Sequence, residues 1–238
     1  MGEQAKMSAA EHTGISVHGW KPRPPPSATN VAGRFARLER LDPARHAETL
    51  WAAVSGNDHI WDYLPYGPFA NAKKFTAWLT ERAALRDPLY YTVLERTSGR
   101  ALGCLTLMEI RPEMGVIEVG HIFYSPALQK TPAATDAFYL VAKMVFEELG
   151  YRRFEWKCND LNDPSKFAAL RFGFTFEGVF RQHLIVKGRN RDTAWYSMLD
   201  GEWPARKAAF ERWLSPDNFN ATGRQKIALS QLNGVGSS

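Results

Sequence analysis

The chain has 238 residues, 45% hydrophobic and 23% charged, which suits one globular domain with tails. Its net charge of +5 fits a small polyanion as well as a nucleic acid, but the basic residues are scattered apart from KGRNR at 187–191, which suits a solvated hairpin tip. No apolar run reaches the roughly 18 residues that span a bilayer, MGEQAKMSAAEHTG lacks a secretory core, and Cys104 and Cys158 form no metal spacing, so a cytoplasmic, metal-free protein is expected.

Residues 1–30 end in KPRPPPSATN and are expected as a flexible proline-rich tail. The domain is expected over 31–215, opening with a strand in GRFARLERL (33–41). In DPARHAETLWAAV, Asp42 caps a helix and Pro43 takes its first position. The loop DYLPYGPF leads to a second helix in ANAKKFTAWLTERAALR, stopped by Asp87-Pro88. From residue 89 the period becomes two: LYYTVLER and ALGCLTLMEI flank the turn TSG, and VIEVGHIFYSP follows as another strand. Ala134, Phe138, Val141, Val145 and Leu149 mark a helix from Pro132 to a stop at Gly150. A strand in RRFEWKC, a short helix in DPSKFAALRFG, a hairpin from FTFEGVFRQHLIV and DTAWYSML, and a helix in GEWPARKAAFERWL complete the domain. Residues 216–238 are expected as a polar tail. Strand runs beside helices predict a mixed α/β sheet, and the crossover between 116 and 158 requires a parallel strand pair.

That crossover puts a helix N-terminus at SPALQKTPAATDAF. Thr131 caps it, Pro132 has no donor to waste, and the amides near Ala133, Ala134 and Thr135 are left for an anion, with Gln129 and Lys130 beside them. A plainly capped helix explains the same residues.

Further on, CNDLNDPSKFAALRFGFTFEGVFRQH (158–183) carries Asn162, Ser165, Arg171, Phe172, Gly173, Phe174, Glu177 and Gly178. With these residues and this element order, the chain from about 33 to 200 resembles the GNAT superfamily of acetyl-CoA-dependent N-acetyltransferases, in its RimJ/RimL-like branch. The resemblance implies the mixed, mostly antiparallel GNAT sheet with flanking helices, and acetyl-CoA as co-substrate. It lays the family's pyrophosphate loop on Gln129, Lys130, Thr131, Pro132, Ala133 and Ala134, where Pro132 replaces the central glycine. Thr135 would add a hydroxyl. It also implies that the strand 116–124 splays from 152–158, that pantetheine lies in the gap against backbone near Ile122 and Phe123, and that Asn162 is a cofactor ligand.

Glu118, amid Val116, Ile117, Val119 and Gly120, can remove an amine proton if burial raises its pKa, as a family glutamate on this strand often does. A salt bridge or a solvent-facing position is the alternative, and Glu109 is the substitute base. Strict alternation turns His121 to the opposite face, toward packing, unless a bulge intervenes. Ala169 stands where many members carry a proton-donating tyrosine, so the resemblance makes Ser165 the candidate acid; Asn162 and Ser165 also suit an ordinary helix-capping turn. Trp61, Tyr63 and Tyr66 lie in the loop that borders the family's acceptor site, although core burial explains them equally, and His183 and Lys187 lie on the last hairpin toward the same side. The chain is thus expected to move an acetyl group directly, in a ternary complex, to a primary amine such as a protein N-terminus. A small-molecule amine and a non-catalytic acyl-CoA-binding module are the alternatives. A homodimer is compatible with the aromatic hairpin; a nucleic-acid partner is not favoured.

Overall fold

The computed structural model describes residues 14–234; the parts of both expected tails at 1–13 and 235–238 lie outside the described residues. The strands are β1 (Asn30–Ala32), β2 (Ala36–Arg40), β3 (Leu89–Glu95), β4 (Ala101–Arg111), β5 (Val116–Tyr124), β6 (Arg153–Asn159), β7 (Thr175–Val186) and β8 (Arg189–Leu199). The helices are α1 (Pro43–Val54), α2 (Ala72–Ala83), α3 (Pro132–Lys143), α4 (Asp163–Arg171), α5 (Trp203–Leu214) and α6 (Leu229–Leu232). One sheet holds all eight strands in the order β1-β2-β3-β4-β5-β6-β8-β7. Among the described residues every neighbouring pair is antiparallel except β5–β6, the pair joined through α3. The mixed, mostly antiparallel sheet agrees with the sequence expectation.

The predicted caps form. Asp42 accepts from the Ala44 amide with Pro43 at the first helical position of α1, and Asn71 caps α2 through the Lys74 amide. A helix that crosses the sheet must bury one face. α3 does so through Ala134, Ala137, Phe138 and Val141, whose small residues let it lie close to the strands. It ends in a π turn over Met144–Glu148, followed by Gly150 at φ 69°. On the other side of the sheet, α1 and α2 enclose Trp61, Phe75, Trp78, Tyr90 and Phe123. Asp136, 2% exposed, ties α3 to β2 by accepting from the amides of Phe35 (2.6 Å) and Ala36 (2.9 Å). Gly33 makes room for that carboxylate: a Cβ there would lie 2.4 Å from Asp136 Oδ2.

Three stretches differ from expectation. The polar segment after 215 folds back instead of trailing away: Leu229 is fully buried, Asn218 Nδ2 donates to the carbonyls of Trp213 and Ile227, and Asn233 Nδ2 donates to that of Arg171. Its polar side chains pair with backbone groups, so composition gave no hint of packing. In the N-terminal stretch, Trp20 lies against Gly115 and donates to the Glu113 carbonyl, and Asn30–Ala32 adds a short edge strand on β2. The tip of the last hairpin turns at Lys187 and Gly188, both at positive φ, and Lys187 Nζ donates to the Trp61 carbonyl at 2.8 Å instead of standing in solvent. Along β7, the edge strand, Phe176, Phe180 and Ile185 stand exposed.

Candidate active site

β5 and β6 run in register from Val116–Arg153 to Val119–Trp156, and their pairing then stops although both strands continue. Unpaired inner strand edges are costly unless something accepts their hydrogen bonds. A cleft of about 1720 Å³ opens there, reaching from the start of α3 through the gap to the loop at 59–65.

At the α3 end, Thr131 uses its hydroxyl twice, accepting from the Ala134 amide at 3.2 Å and donating to the Leu128 carbonyl at 2.7 Å. The Thr135 amide reaches the Thr131 carbonyl at 3.4 Å, and Thr135 Oγ1 accepts from Arg171 Nη1 at 3.1 Å. Gln129 is exposed and donates to the Tyr124 carbonyl, and Lys130 sits at φ 61°. Among the described residues the amides of Lys130 and Ala133 have no such bond. Gln129, Lys130, Thr131, Ala134 and Thr135 line the cleft, while the Ala133 side chain turns into the core.

Arg171 was part of the sequence motif but carried no site role there, and it changes this end of the cleft. Its guanidinium packs over the rings of Trp213 (5.0 Å) and Phe172 (5.4 Å). It has no ion pair among the described residues, and burial lowers its pKa to about 10, so it is still a cation at neutral pH. Arg224, from the segment expected as a tail, lines the same cleft. Only the packing of α4 against α3 and α5 reveals such a position.

Near the middle, Asn162 caps α4, its Oδ1 accepting from the Ser165 amide at 3.2 Å. Ser165 Oγ accepts from Trp156 Nε1 at 3.0 Å and lies beside the Cys158 thiol. Both residues line the cleft, so capping and exposure to a ligand coexist. Ile122 and Phe123 line it from β5.

At the far end Glu118 is 5% exposed, with Lys157 Nζ 2.8 Å from its carboxylate. Burial raises its pKa to about 7, more than Lys157 can offset, partly because Lys157 is shared with Glu155 (3.1 Å) and lies over the Trp195 ring (4.0 Å). The expected salt bridge and the raised pKa are both present. His121 also lines the cleft, contrary to strict alternation. Thr106 pairs with Gly120 and Cys104 with Phe123, so His121 and Ile122 together face Leu105 in a bulge, with His121 at φ 47°. Burial lowers the His121 pKa to about 4, leaving a neutral ring that shares a 3.1 Å hydrogen bond with Tyr66. Tyr63 reaches over the cleft to donate to the Leu161 carbonyl at 2.9 Å. Trp61 is 2% exposed and, like Tyr66, stands in the aromatic core behind the wall, not on it. His183 lines the wall opposite, its Nδ1 3.0 Å from Thr193 Oγ1, and Glu109 is exposed at the rim.

Residues 36–175 match the family model described as an acetyltransferase (GNAT) domain. The fold is similar to a GCN5-related N-acetyltransferase from Brucella melitensis, at 46% identity over 91% of this chain and 99% of that one, with a TM-score of 0.89. It is also similar to a protein from Chromobacterium violaceum described as a probable acetyltransferase of the GNAT family, at 43% identity over 80% and 96% of the two chains, with a TM-score of 0.76. A ribosomal-protein-S5-alanine acetyltransferase from Vibrio fischeri shares the fold at 16% identity over 74% and 99%, with a TM-score of 0.60. A search of curated proteins gives no match.

Proposed function

The chain belongs to the GNAT acetyltransferase family, and from that membership we propose that it is an N-acetyltransferase acting directly on a primary amine, in the cytoplasm and in the RimJ/RimL-like branch. The observation that carries this reading is the cleft itself. It opens where β5 and β6 part, with an uncompensated cation at one end and a carboxyl of pKa about 7 at the other. The Asn162 and Ser165 pair supports the branch assignment, and a protein N-terminus is then one acceptor to test. No helix among the described residues is long and apolar enough to cross a membrane. A small-molecule amine is the second reading, favoured by the Tyr63 bridge to Leu161, which narrows the acceptor end.

Acetyl-CoA, the family's co-substrate, fits the residues present. The free amides of Lys130 and Ala133, the positive end of α3 and the guanidinium of Arg171 are suited to its pyrophosphate. Because Thr131 already gives its hydroxyl proton to the Leu128 carbonyl, Arg171 takes over its expected role, while Thr135 accepts from Arg171 and keeps its own proton for the phosphate. The unpaired edges of β5 near Ile122 and Phe123 receive the pantetheine amides. When bound, acetyl-CoA supplies an activated acyl carbon and a thiolate leaving group. Glu118 accepts the proton that the attacking amine loses, and Ser165 gives its hydroxyl proton to the departing sulfur. The Trp156 N–H donated to Ser165 Oγ makes that hydroxyl a better donor.

The primary test is CoA thiol release from acetyl-CoA with a panel of small amines and N-terminal peptides. Amine-dependent release is expected. Tight acetyl-CoA binding without release for any amine would convert the reading to a binding module. In a calorimetric titration, Arg171→Gln should weaken acetyl-CoA about ten- to a hundredfold, since a lost charge-assisted hydrogen bond costs about 1.5–3 kcal/mol. Unchanged affinity would remove Arg171 from the phosphate site.

A further inference from the structure

The acceptor end of the cleft contains a second cation that has no ion pair among the described residues. Arg191 lies on β8, on the same face as Thr193 and Trp195, and all three line the cleft. Its Nε is buried and has no hydrogen-bond partner among the described residues, and its side chain enters no ion pair there. Trp195 Nε1, two turns of the pleat along the same strand, is likewise buried and unpartnered. Between them Thr193 is occupied by His183. This wall therefore brings to the cleft a guanidinium that no carboxylate among the described residues neutralises.

The surroundings narrow what ligand the guanidinium would hold. Burial lowers the pKa of Arg191, and the nearby Cys158 and Glu118 offset that only in part. Glu118, however, is engaged by Lys157 at 2.8 Å and makes no ion pair with Arg191. Arg171 at the other end already answers the phosphates of the co-substrate. The acceptor end thus holds the Glu118 carboxyl, with Lys157 beside it, to take the proton of an amine, and a guanidinium with no ion pair among the described residues, which draws an oxyanion. A planar guanidinium matches a carboxylate by two parallel hydrogen bonds better than any other side chain does.

We infer that the acceptor is a small primary amine that also carries a carboxylate, its amine directed to Glu118 and its carboxylate held by Arg191. The assignment rests on the amine-acetylation reading above and specifies its substrate class. The arrangement holds an amino acid as a zwitterion before the amine loses its proton.

The test measures CoA release with short ω-amino acids of increasing length, with their primary amides, and with plain alkylamines of matching length. The wild-type protein should prefer acids over the matching amides by about ten- to a hundredfold in kcat/KM, the range expected for a charge-assisted pair. The preference should peak at one chain length, which reports the span from Glu118 to Arg191. The amides are slightly less basic and start with more free amine, so the comparison is weighted against the expected result. Arg191→Gln should bring the acid-to-amide ratio toward one, mainly through KM, and Arg191→Lys should restore part of it. Undiminished acetyl-CoA affinity shows that each variant is folded. Release from the amides and alkylamines without any acid preference would overturn the acceptor class while leaving the transferase reading intact. A ratio that survives Arg191→Gln, or an equal loss on acids and amides, would overturn the role of Arg191. No release from any of the three series would overturn the acceptor class and the amine-transfer reading together.

Discussion

Glu118→Gln is expected to lower kcat for acetyl transfer by about 10²–10⁴-fold, the usual worth of a positioned general base. The amide keeps the size of the side chain and an oxygen for Lys157 while removing the proton acceptor. The pH dependence gives the sharper reading. Burial raises the Glu118 carboxyl to about 7, so the basic form is scarce below that pH and kcat/KM should climb with pH and level off above it. An acceptor amine of low basicity separates this inflection from the titration of the amine itself. In the Gln variant the inflection near 7 should vanish. Stability should move in the opposite sense. Because the folded carboxyl binds its proton more tightly than the unfolded one, stability falls as pH rises from about 4.5 to 7. The penalty, on the order of 3 kcal/mol from a shift of that size, is then present in full at higher pH. The Gln variant should therefore gain on the wild type in melting temperature across that window. Full kcat with the inflection intact would remove Glu118 as the base and direct attention to Glu109, which lines the same cleft.

Phe138→Ala should cost about 3–5 kcal/mol, the range for emptying a buried aromatic site. Phe138 is 1% exposed at the centre of a ring cluster from four elements: its ring stacks on Phe172 at 4.2 Å and 2°, and Phe154, Phe174 and Phe210 lie within 6.0 Å. These partners are fixed on β6, around the end of α4 and on α5, so they cannot all close on the gap at once, which places the cost at the upper end of the range. For a domain of this size the melting temperature should drop by roughly 6–20 °C. The same contact connects stability to the site, because Phe172 follows Arg171 directly. Loosening it should also weaken acetyl-CoA binding at temperatures where the variant remains folded. A drop of less than about 2 °C in a thermal melt would show that the cluster repacks around the smaller side chain.

The parts of the site legible in the sequence were those written in local stereochemistry. Thr131 with Pro132, Asp42 with Pro43 and Asn162 with Asp163-Pro164 announce helix starts because the cap and the fixed φ of proline act within one turn. Period-two runs gave the central strands, and Glu118 could be singled out because a charge amid Val116, Ile117 and Val119 is costly there. His121 was turned the wrong way by the same logic, since a bulge is the outcome of unequal pairing between β4 and β5 and leaves no mark on one strand. Trp61 and Tyr66 were placed in the right loop with two roles open, and it is the core role that the packing shows, because an aromatic side chain serves a core and a binding surface equally well.

By itself the sequence determined the proline-marked starts of α1, α3 and α4, the central strands and the mixed α/β class, since those depend on neighbours within a few residues, but not β1 or α6. Tertiary structure alone decided which charges meet. The carboxyl of Glu118 owes its pKa near 7 to burial in the sheet between β4 and β6, Arg171 owes its lack of an ion pair among the described residues to the packing of α4 near α3, and Arg191 owes its unneutralised charge to a wall whose residues pair elsewhere. Burial and the absence of a partner are properties of distant segments brought together, and no local pattern carries them.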